Sequence, residues 1–433
     1  MLRYQEDCDV AADRSLDGKS SVRPRLPDAR SSPMSANPEF GAVASARSEP
    51  LLLTPITLRG LIARNRIVVS PMSQYAAIDG APTDWHLVHL GKFAMGGAGI
   101  VFVEETTVEE RGRKTYHCPG MYTDVQAKAW RRITDFLRSQ GALSAIQLGH
   151  AGRKVATKAP WDGFAPLSEN DAEEGEPPWR GVAPSPIPFK PGALVPREMD
   201  RDDIRHVIAS HAEASSRSVD AGFDICEVHG AHGYIIQQFL SPITNNRRDA
   251  YGGDLKGRMR FALELIEAVR ESWPKDRPLF FRASCVDGKG GAWDLENTIV
   301  LAGELKQRGV DVIDCSSGGI EGPLTLAVVP RIPGYHVPFA ERIRREVSVP
   351  TMAAGLITDP KQAEGYLADG RCDLIALARE MMWNPNWPVH AAHALGSADP
   401  LALLPRSYAW WLQRREEVRK LYPTGEDESE STE

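Results

Sequence analysis

From about residue 50 onward, short apolar runs alternate with stretches whose apolar residues recur at helical spacing. The runs are Ile67–Ser70, Ile100–Glu104, Ser144–Leu148, Ile225–His229, Leu279–Arg282, Val312–Cys315, Thr351–Ala354 and Leu374–Leu377. Such alternation is the signature of parallel β/α architecture. One predicted helix opens at Asp200, a plausible cap, and carries Ile204, Val207 and Ile208 on one face. Another spaces Ala262, Leu265, Ile266, Val269 and Trp273 helically. A local repeat supports the count, because Gly222-Phe223-Asp224, Gly309-Val310-Asp311 and Gly370-Arg371-Cys372-Asp373 each end a helix and lead into a strand.

Eight units in roughly 350 residues fit one (β/α)8 TIM barrel over residues 49–405. An insertion after the third strand, about 152–199, is full of Pro, Trp and acidic residues. A doubly wound open sheet is the structural alternative, since strand count alone does not show closure. In a barrel, chemistry belongs at the C-terminal ends of the strands. Polar residues gather there: Ser73 and Tyr75, Gln147, His229 with His232 and Tyr234, Arg282, Ser316 and Ser317, and Arg379.

Composition narrows the partners. Over 433 residues the formal charge is −7, from 51 basic and 58 acidic side chains. No concentrated basic face points to nucleic acid, and no apolar run approaches bilayer length. The 6 cysteines lie far apart without a CxxC pair, which suits reduced, buried thiols in a cytoplasmic protein. Residues 1–48, rich in Ser, Pro, Arg and Asp, are expected to be a disordered extension, with Met34 as an internal start candidate. Residues 406–433 are expected to be an aromatic segment followed by an acidic tail.

The sharpest chemical signal is Glu227-Val228-His229-Gly230-Ala231-His232-Gly233-Tyr234. Two imidazoles leaving a strand into a Gly-rich turn can converge on one oxygen atom, and Tyr234 can offer a phenolic proton to a nearby carbon. The competing readings are a structural turn and a His-x-x-His metal pair.

This turn, followed by Phe239-Leu240-Ser241-Pro242, Asn245-Asn246-Arg247-Arg248-Asp249 and Tyr251-Gly252-Gly253, resembles the Old Yellow Enzyme family. Its thermophilic-like and xenobiotic-reductase subclass is the nearest in pattern. Ser70-Pro71-Met72, Gln147 through Lys154, Asp314 through Gly318 and Ala378-Arg379-Glu380 extend the resemblance from about Leu52 to Gly396. The resemblance implies FMN at the barrel mouth, with NADPH or NADH as electron donor. By position, Pro71, Met72, Ser73 and Glu105 would lie by the flavin ring, and Gln147 at its pyrimidine edge. Arg282 would sit by N1 and O2, although an ordinary barrel ion pair competes for that residue. Ser317, Gly318, Gly355, Ala378 and Arg379 would hold the phosphate. His229 and His232 would bind the oxygen of an activated alkene, Tyr234 would protonate Cα, and Tyr75 would line the substrate side or simply pack.

The sequence departs from the family in places. Ser73 stands where this subclass commonly carries a cysteine, and Glu105 where a small residue is usual. Asp254 and Gly257 depart from the usual continuation after Gly253. Tyr408-Ala409-Trp410-Trp411 is similar to an aromatic tail that reaches into a neighbouring subunit, which implies a homodimer or higher homo-oligomer. His86, His89, His206 and His211 are expected to be surface or packing residues. Arg247 and Asp249 are expected to pin a loop, and Trp293, Trp383 and Trp387 to pack between helices.

The leading expectation is an FMN-dependent ene-reductase acting on small α,β-unsaturated carbonyl or nitro compounds. Dienoyl-CoA reductases and amine dehydrogenases resemble it but carry a cysteine-clustered iron–sulfur site. Two readings from other classes remain, a metal-dependent TIM-barrel hydrolase and a catalytically weak flavin-binding protein.

Overall fold

A computed structural model describes residues 49–288, 292–321 and 329–422. The expected N-terminal extension and acidic tail therefore lie outside the described residues. Eight parallel strands close into a barrel in sequential order. They are β1 (Ile67–Val69), β2 (Ile100–Thr107), β3 (Leu143–Gly149), β4 (Ile225–Gly230), β5 (Leu279–Ser284), β6 (Val312–Ser316), β7 (Thr351–Ala353) and β8 (Leu374–Leu377). Closure through the β8–β1 pairing, with Ile375 opposite Ile67, excludes the open-sheet alternative.

Each strand is followed by a helix that covers the outside. These are α1 (Asp84–Met95), α2 (Asp124–Ser139), α3 (Arg201–Asp220), α4 (Leu255–Ser272), α5 (Leu295–Gln307), α6 (Val337–Val347), α7 (Pro360–Ala368) and α8 (Trp387–Ala394). Asp200 caps α3 by accepting from Asp203 N, which satisfies one orphan donor at the helix start. Asp254 does the same for α4 through Gly257 N, so this family departure preserves a cap. Gly222, Gly309 and Gly370 have φ of 83°, 87° and 68°, the left-handed geometry expected at a helix end.

Alternation along each strand sorts the side chains into two cores. Val68, Phe102, Ala145, Ile225, Phe280, Val312 and Met352 fill the barrel interior, and Leu58 and Ala63 join them from an antiparallel hairpin, Ile56–Leu58 with Leu61–Ala63. Residues of the opposite phase, such as Val101, Val228, Phe281 and Ile313, pack under the helices. One step further along the inward phase the lining turns polar, with Ser70, Gln147, Glu227, Arg282 and Asp314 all buried. β2 breaks the alternation with a bulge, because Phe102 pairs with Ala145 but Glu105 pairs with Gln147. The extra residue gives Glu105 the mouth-facing phase and frees Glu104 to meet His86 of α1 at 3.1 Å.

Between β3 and α3, residues 150–200 carry 3-10 turns, a short helix Glu169–Glu173 and a two-stranded pairing of Val182–Ala183 with Arg197–Glu198. Arg247 holds this segment by donating to Pro184 O and Met199 O while paired with Asp249, the pinning role expected of both residues. Trp293 and Trp387 are buried as expected, but Trp383 is 86% exposed at the mouth. It ends a five-residue helix, Arg379–Trp383, too short to give it a partner helix to pack on. The described cysteines, Cys118, Cys226, Cys285, Cys315 and Cys372, are free and buried. Among the described residues no helix is long and apolar enough to cross a membrane.

The first and last units meet at Gly96, which ends α1 beneath the segment entering α8. A Cβ there would lie 2.0 Å from the backbone oxygen of Pro385, a clash that no rotamer relieves. Gly96→Ala is expected to lower the unfolding free energy by about 1–3 kcal/mol. An unchanged urea midpoint would contradict this account of the closure.

Candidate active site

The polar layer starts from one guanidinium facing two carboxylates. Arg282 Nε lies 3.2 Å from Asp314 Oδ2, and Nη1 donates to Ser70 Oγ at 3.3 Å. Glu227, wholly buried, accepts from Gln147 Nε2 at 2.7 Å. Burial pushes both acids up, Glu227 furthest because Asp314 adds repulsion to its desolvation. The physical solution is a neutral Glu227 beside an Arg282–Asp314 ion pair. Gln147 is thereby oriented by its own N–H donation to Glu227.

Above this layer His229 sits opposite Arg282 in the β4–β5 register. A ladder of hydrogen bonds sets both histidine tautomers. Ala231 N donates to His229 Nδ1 at 3.3 Å, so His229 carries its proton on Nε2. That nitrogen lies 3.3 Å from His232 Nδ1, and His232 Nε2 then donates to Ser316 Oγ at 2.6 Å. Burial, followed by the charges of His232 and Arg282 for His229 and of Arg282 and Lys154 for His232, keeps both imidazoles well below the usual histidine range and therefore neutral. Tyr234 packs edge-on to His229 with centroids 4.9 Å apart, and burial raises its phenol further, so its proton stays on.

The strand-end loops bring further groups to the same place. Lys114 donates to Ser73 Oγ at 2.8 Å and pairs with Glu105. Its ammonium lies 5.7 Å from the Tyr234 ring centre and 5.9 Å from that of Tyr75. Tyr75, held at a φ of 54°, meets Trp161 of the 150–200 segment edge-on at 5.6 Å. Lys154 lies 5.6 Å from the Tyr234 ring and donates to His232 O at 2.7 Å and Gly319 O at 2.5 Å.

Beside these groups opens a cleft of about 700 Å³, lined by Arg282, His232, Ser317, Gly355, Ala378 and Arg379 among others. Its barrel end carries the Arg282 guanidinium, and Arg331 and Arg379 lie along its wall. His336 also lines this cleft, and its Nδ1 is buried without a hydrogen-bond partner among the described residues. Burial and the Arg282 and Arg331 charges bring this histidine down to about 3, leaving a neutral ring. Guanidiniums and an unsatisfied ring nitrogen along one slot fit a flat polar ring with an anionic tail, as in FMN. Ser317 Oγ meets His336 Nε2 at 2.9 Å. Gly318 N already donates to Val286 O, so it has no free N–H to give a phosphate. Pro71 and Met72 begin the loop leaving β1, outside the cleft lining, and Met72 packs on the outer core.

Four site residues escaped sequence reasoning: Lys114, Lys154, Arg331 and His336. Lys114 had a legible signal, since a mouth-facing Glu105 demands a cationic partner, and Lys154 closes the stretch from Gln147 that carries the resemblance; Arg331 and His336 had none. His86 and His211 are buried and His206 is exposed, each bound to a neighbour as packing or surface residues, and His89 is buried beside Phe93. Among the described residues no group of three or more His, Cys, Asp or Glu side chains is placed to hold a metal ion.

The model of the NADH:flavin oxidoreductase / NADH oxidase family matches residues 51–397. An NADPH dehydrogenase of Geobacillus sp. (strain WCH70) is 42% identical over 351 residues, 81% of this chain and 96% of the relative. An NADPH dehydrogenase of Listeria monocytogenes serotype 4a (strain HCC23) is 41% identical over 347 residues, 80% and 95% of the two chains. Morphinone reductase in complex with tetrahydroNAD superposes with a TM-score of 0.65 at 26% identity, covering 82% of this chain and 94% of that one. A 2-naphthoyl-CoA reductase complex shares the fold at TM-score 0.71 and 24% identity; 79% of this chain matches, spanning only 52% of that longer one.

Lys154 supplies a pH test of this environment. Burial, with Arg153 adding repulsion, brings its ammonium from 10.5 down to about 7. Between those values the unfolded chain binds more protons than the folded one, so this group makes stability rise with pH there. Its destabilisation is fully present below about pH 7. Lys154→Met should remove roughly 2 kcal/mol of the gain in unfolding free energy between pH 7 and 9. Equal pH slopes in the two proteins would show that Lys154 stays protonated in the fold.

Proposed function

Because this chain belongs to the NADH:flavin oxidoreductase / NADH oxidase family, the Old Yellow Enzyme group, we propose that it is a cytoplasmic ene-reductase of α,β-unsaturated carbonyl or nitro compounds. As a family member it is an NAD(P)H-dependent flavin oxidoreductase that uses FMN. The observation that carries the finer reading is the neutral His229–His232 ladder beside a protonated Tyr234. FMN, when bound, would supply the redox chemistry, hydride transfer between NAD(P)H and the alkene.

The chain's own residues do the rest. Pro71, Met72, Ser73 and Glu105 on the strand-end loops, Gln147 through its amide and Arg282 through its guanidinium would hold the flavin ring. Arg379, with backbone groups of Gly355 and Ala378 and the Ser317 hydroxyl, all lining the cleft, would hold the phosphate. A substrate oxygen displaces Ser316 Oγ and His232 Nδ1 as the acceptor of the two Nε2–H groups. As negative charge grows on that oxygen the two bonds strengthen, which favours the transition state over the ground state. Tyr234 then gives its proton to Cα. Tyr75 and Trp161 close the substrate side. Exposed Trp410 and Trp411, on the terminal helix Arg406–Leu421, support a homodimer or higher homo-oligomer in which this segment meets a neighbour.

Tyr234→Phe tests the acid assignment. Flavin reduction by NADPH should stay within a few-fold of wild type, because no proton from Tyr234 enters that half-reaction. Reoxidation by an enone should slow about 100- to 10,000-fold. A nitroalkene, whose product holds its charge on two oxygens and leaves unprotonated, should suffer less. Stopped-flow traces with enone reoxidation at the wild-type rate would remove Tyr234 as the acid.

A further inference from the structure

Glu105 and Lys114 form an ion pair that the reaction above does not use, with side chains only 5% and 6% exposed. Burial alone would strip the Lys114 proton, but the Glu105 carboxylate holds the ammonium well above the usual lysine value. Space for the carboxylate comes from Gly149, where a Cβ would lie 2.5 Å from Glu105 Oε1. Such a pair adds little to stability, since apolar replacement of a buried pair is often neutral or better. Folding alone therefore does not explain why it is there.

Its direction does. The ammonium bonds both the Glu105 carboxylate and Ser73 Oγ, so the positive end of the pair faces the hydroxyl. Ser73 Oγ accepts from Lys114, which leaves its own O–H to point away as a donor. A second carboxylate fixes the same loop, with Glu104 Oε2 accepting from Gln74 N at 2.8 Å. We propose that Lys114 and Glu105 are positioning residues that aim and polarise the Ser73 hydroxyl toward the flavin and so raise its reduction potential. A hydroxyl donor backed by positive charge stabilises the ring most when it is electron-rich. The inference rests on the reading that Ser73 lies against the flavin.

The test is the two-electron midpoint potential of the flavin-loaded protein, by equilibration with a reference dye at pH 6. There an ammonium at position 114 that has lost its carboxylate partner is best retained. Lys114→Met should lower the potential and Glu105→Gln should raise it. Each shift should be about tenfold in the ratio of reduced to oxidised flavin, about 30 mV for this couple. The double variant Glu105→Ala/Lys114→Met leaves no buried charge unpaired and replaces any single variant that fails to fold; it too should fall below wild type. If Ser73→Ala shifts the potential while these variants do not, or if both single variants shift it the same way, the inference is wrong and the flavin site stands. If Ser73→Ala and all the pair variants keep the wild-type potential, Ser73 lies away from the flavin, and the underlying reading fails with the inference.

Discussion

A buried guanidinium facing two buried carboxylates is the constraint on which the site depends. Strand alternation sends Arg282, Asp314 and Glu227 inward one step above the apolar barrel filling, where both carboxylates are wholly buried and Arg282 nearly so. Three charges in that layer would leave one uncompensated negative charge, so Glu227 stays neutral and Arg282 pairs with Asp314. Arg282 is then a fixed cation at the floor of the mouth. Its field helps hold His229 and His232 neutral, and it ends the cleft that suits an anionic, electron-accepting ring.

The same economy of charge runs through the upper mouth. Both imidazoles give N–H groups without adding positive charge, and their tautomers follow from one backbone donor, Ala231 N. Tyr234 keeps its proton because burial outweighs the Lys114 ammonium near its ring. Lys114 keeps its charge through Glu105, whereas Lys154, with carbonyl partners and no carboxylate paired to it among the described residues, gives up much of its own near neutrality. Two lysines at similar distance from one phenol thus hold different charge states for a reason visible in their partners.

Much of the fold was legible in the sequence. All eight strands lie within two or three residues of their apolar runs, because strands buried on both faces leave few polar interruptions. Asp200 and the helix-ending glycines were legible because caps and left-handed turns need particular residue types. The His229–Tyr234 turn stood out for the same reason, being three chemical groups on one short loop. What stayed hidden depended on contacts distant in sequence. The β2 bulge decides which of Glu104 and Glu105 faces the mouth, and periodicity does not show it. Arg331 and His336 reach the site from loops without a pattern of their own. Trp383 was misplaced because its helix is too short to supply a packing face.

The account's central claim is the route of hydride and proton through this mouth. It is tested most directly by reducing a cyclic enone in ordinary water with NADPH deuterated at the transferred position of the nicotinamide, and locating the label in the product by NMR. The account predicts deuterium on Cβ and a solvent-derived hydrogen on Cα. Deuterium on Cα, or an enone left unreduced by the flavin-loaded protein, would contradict it.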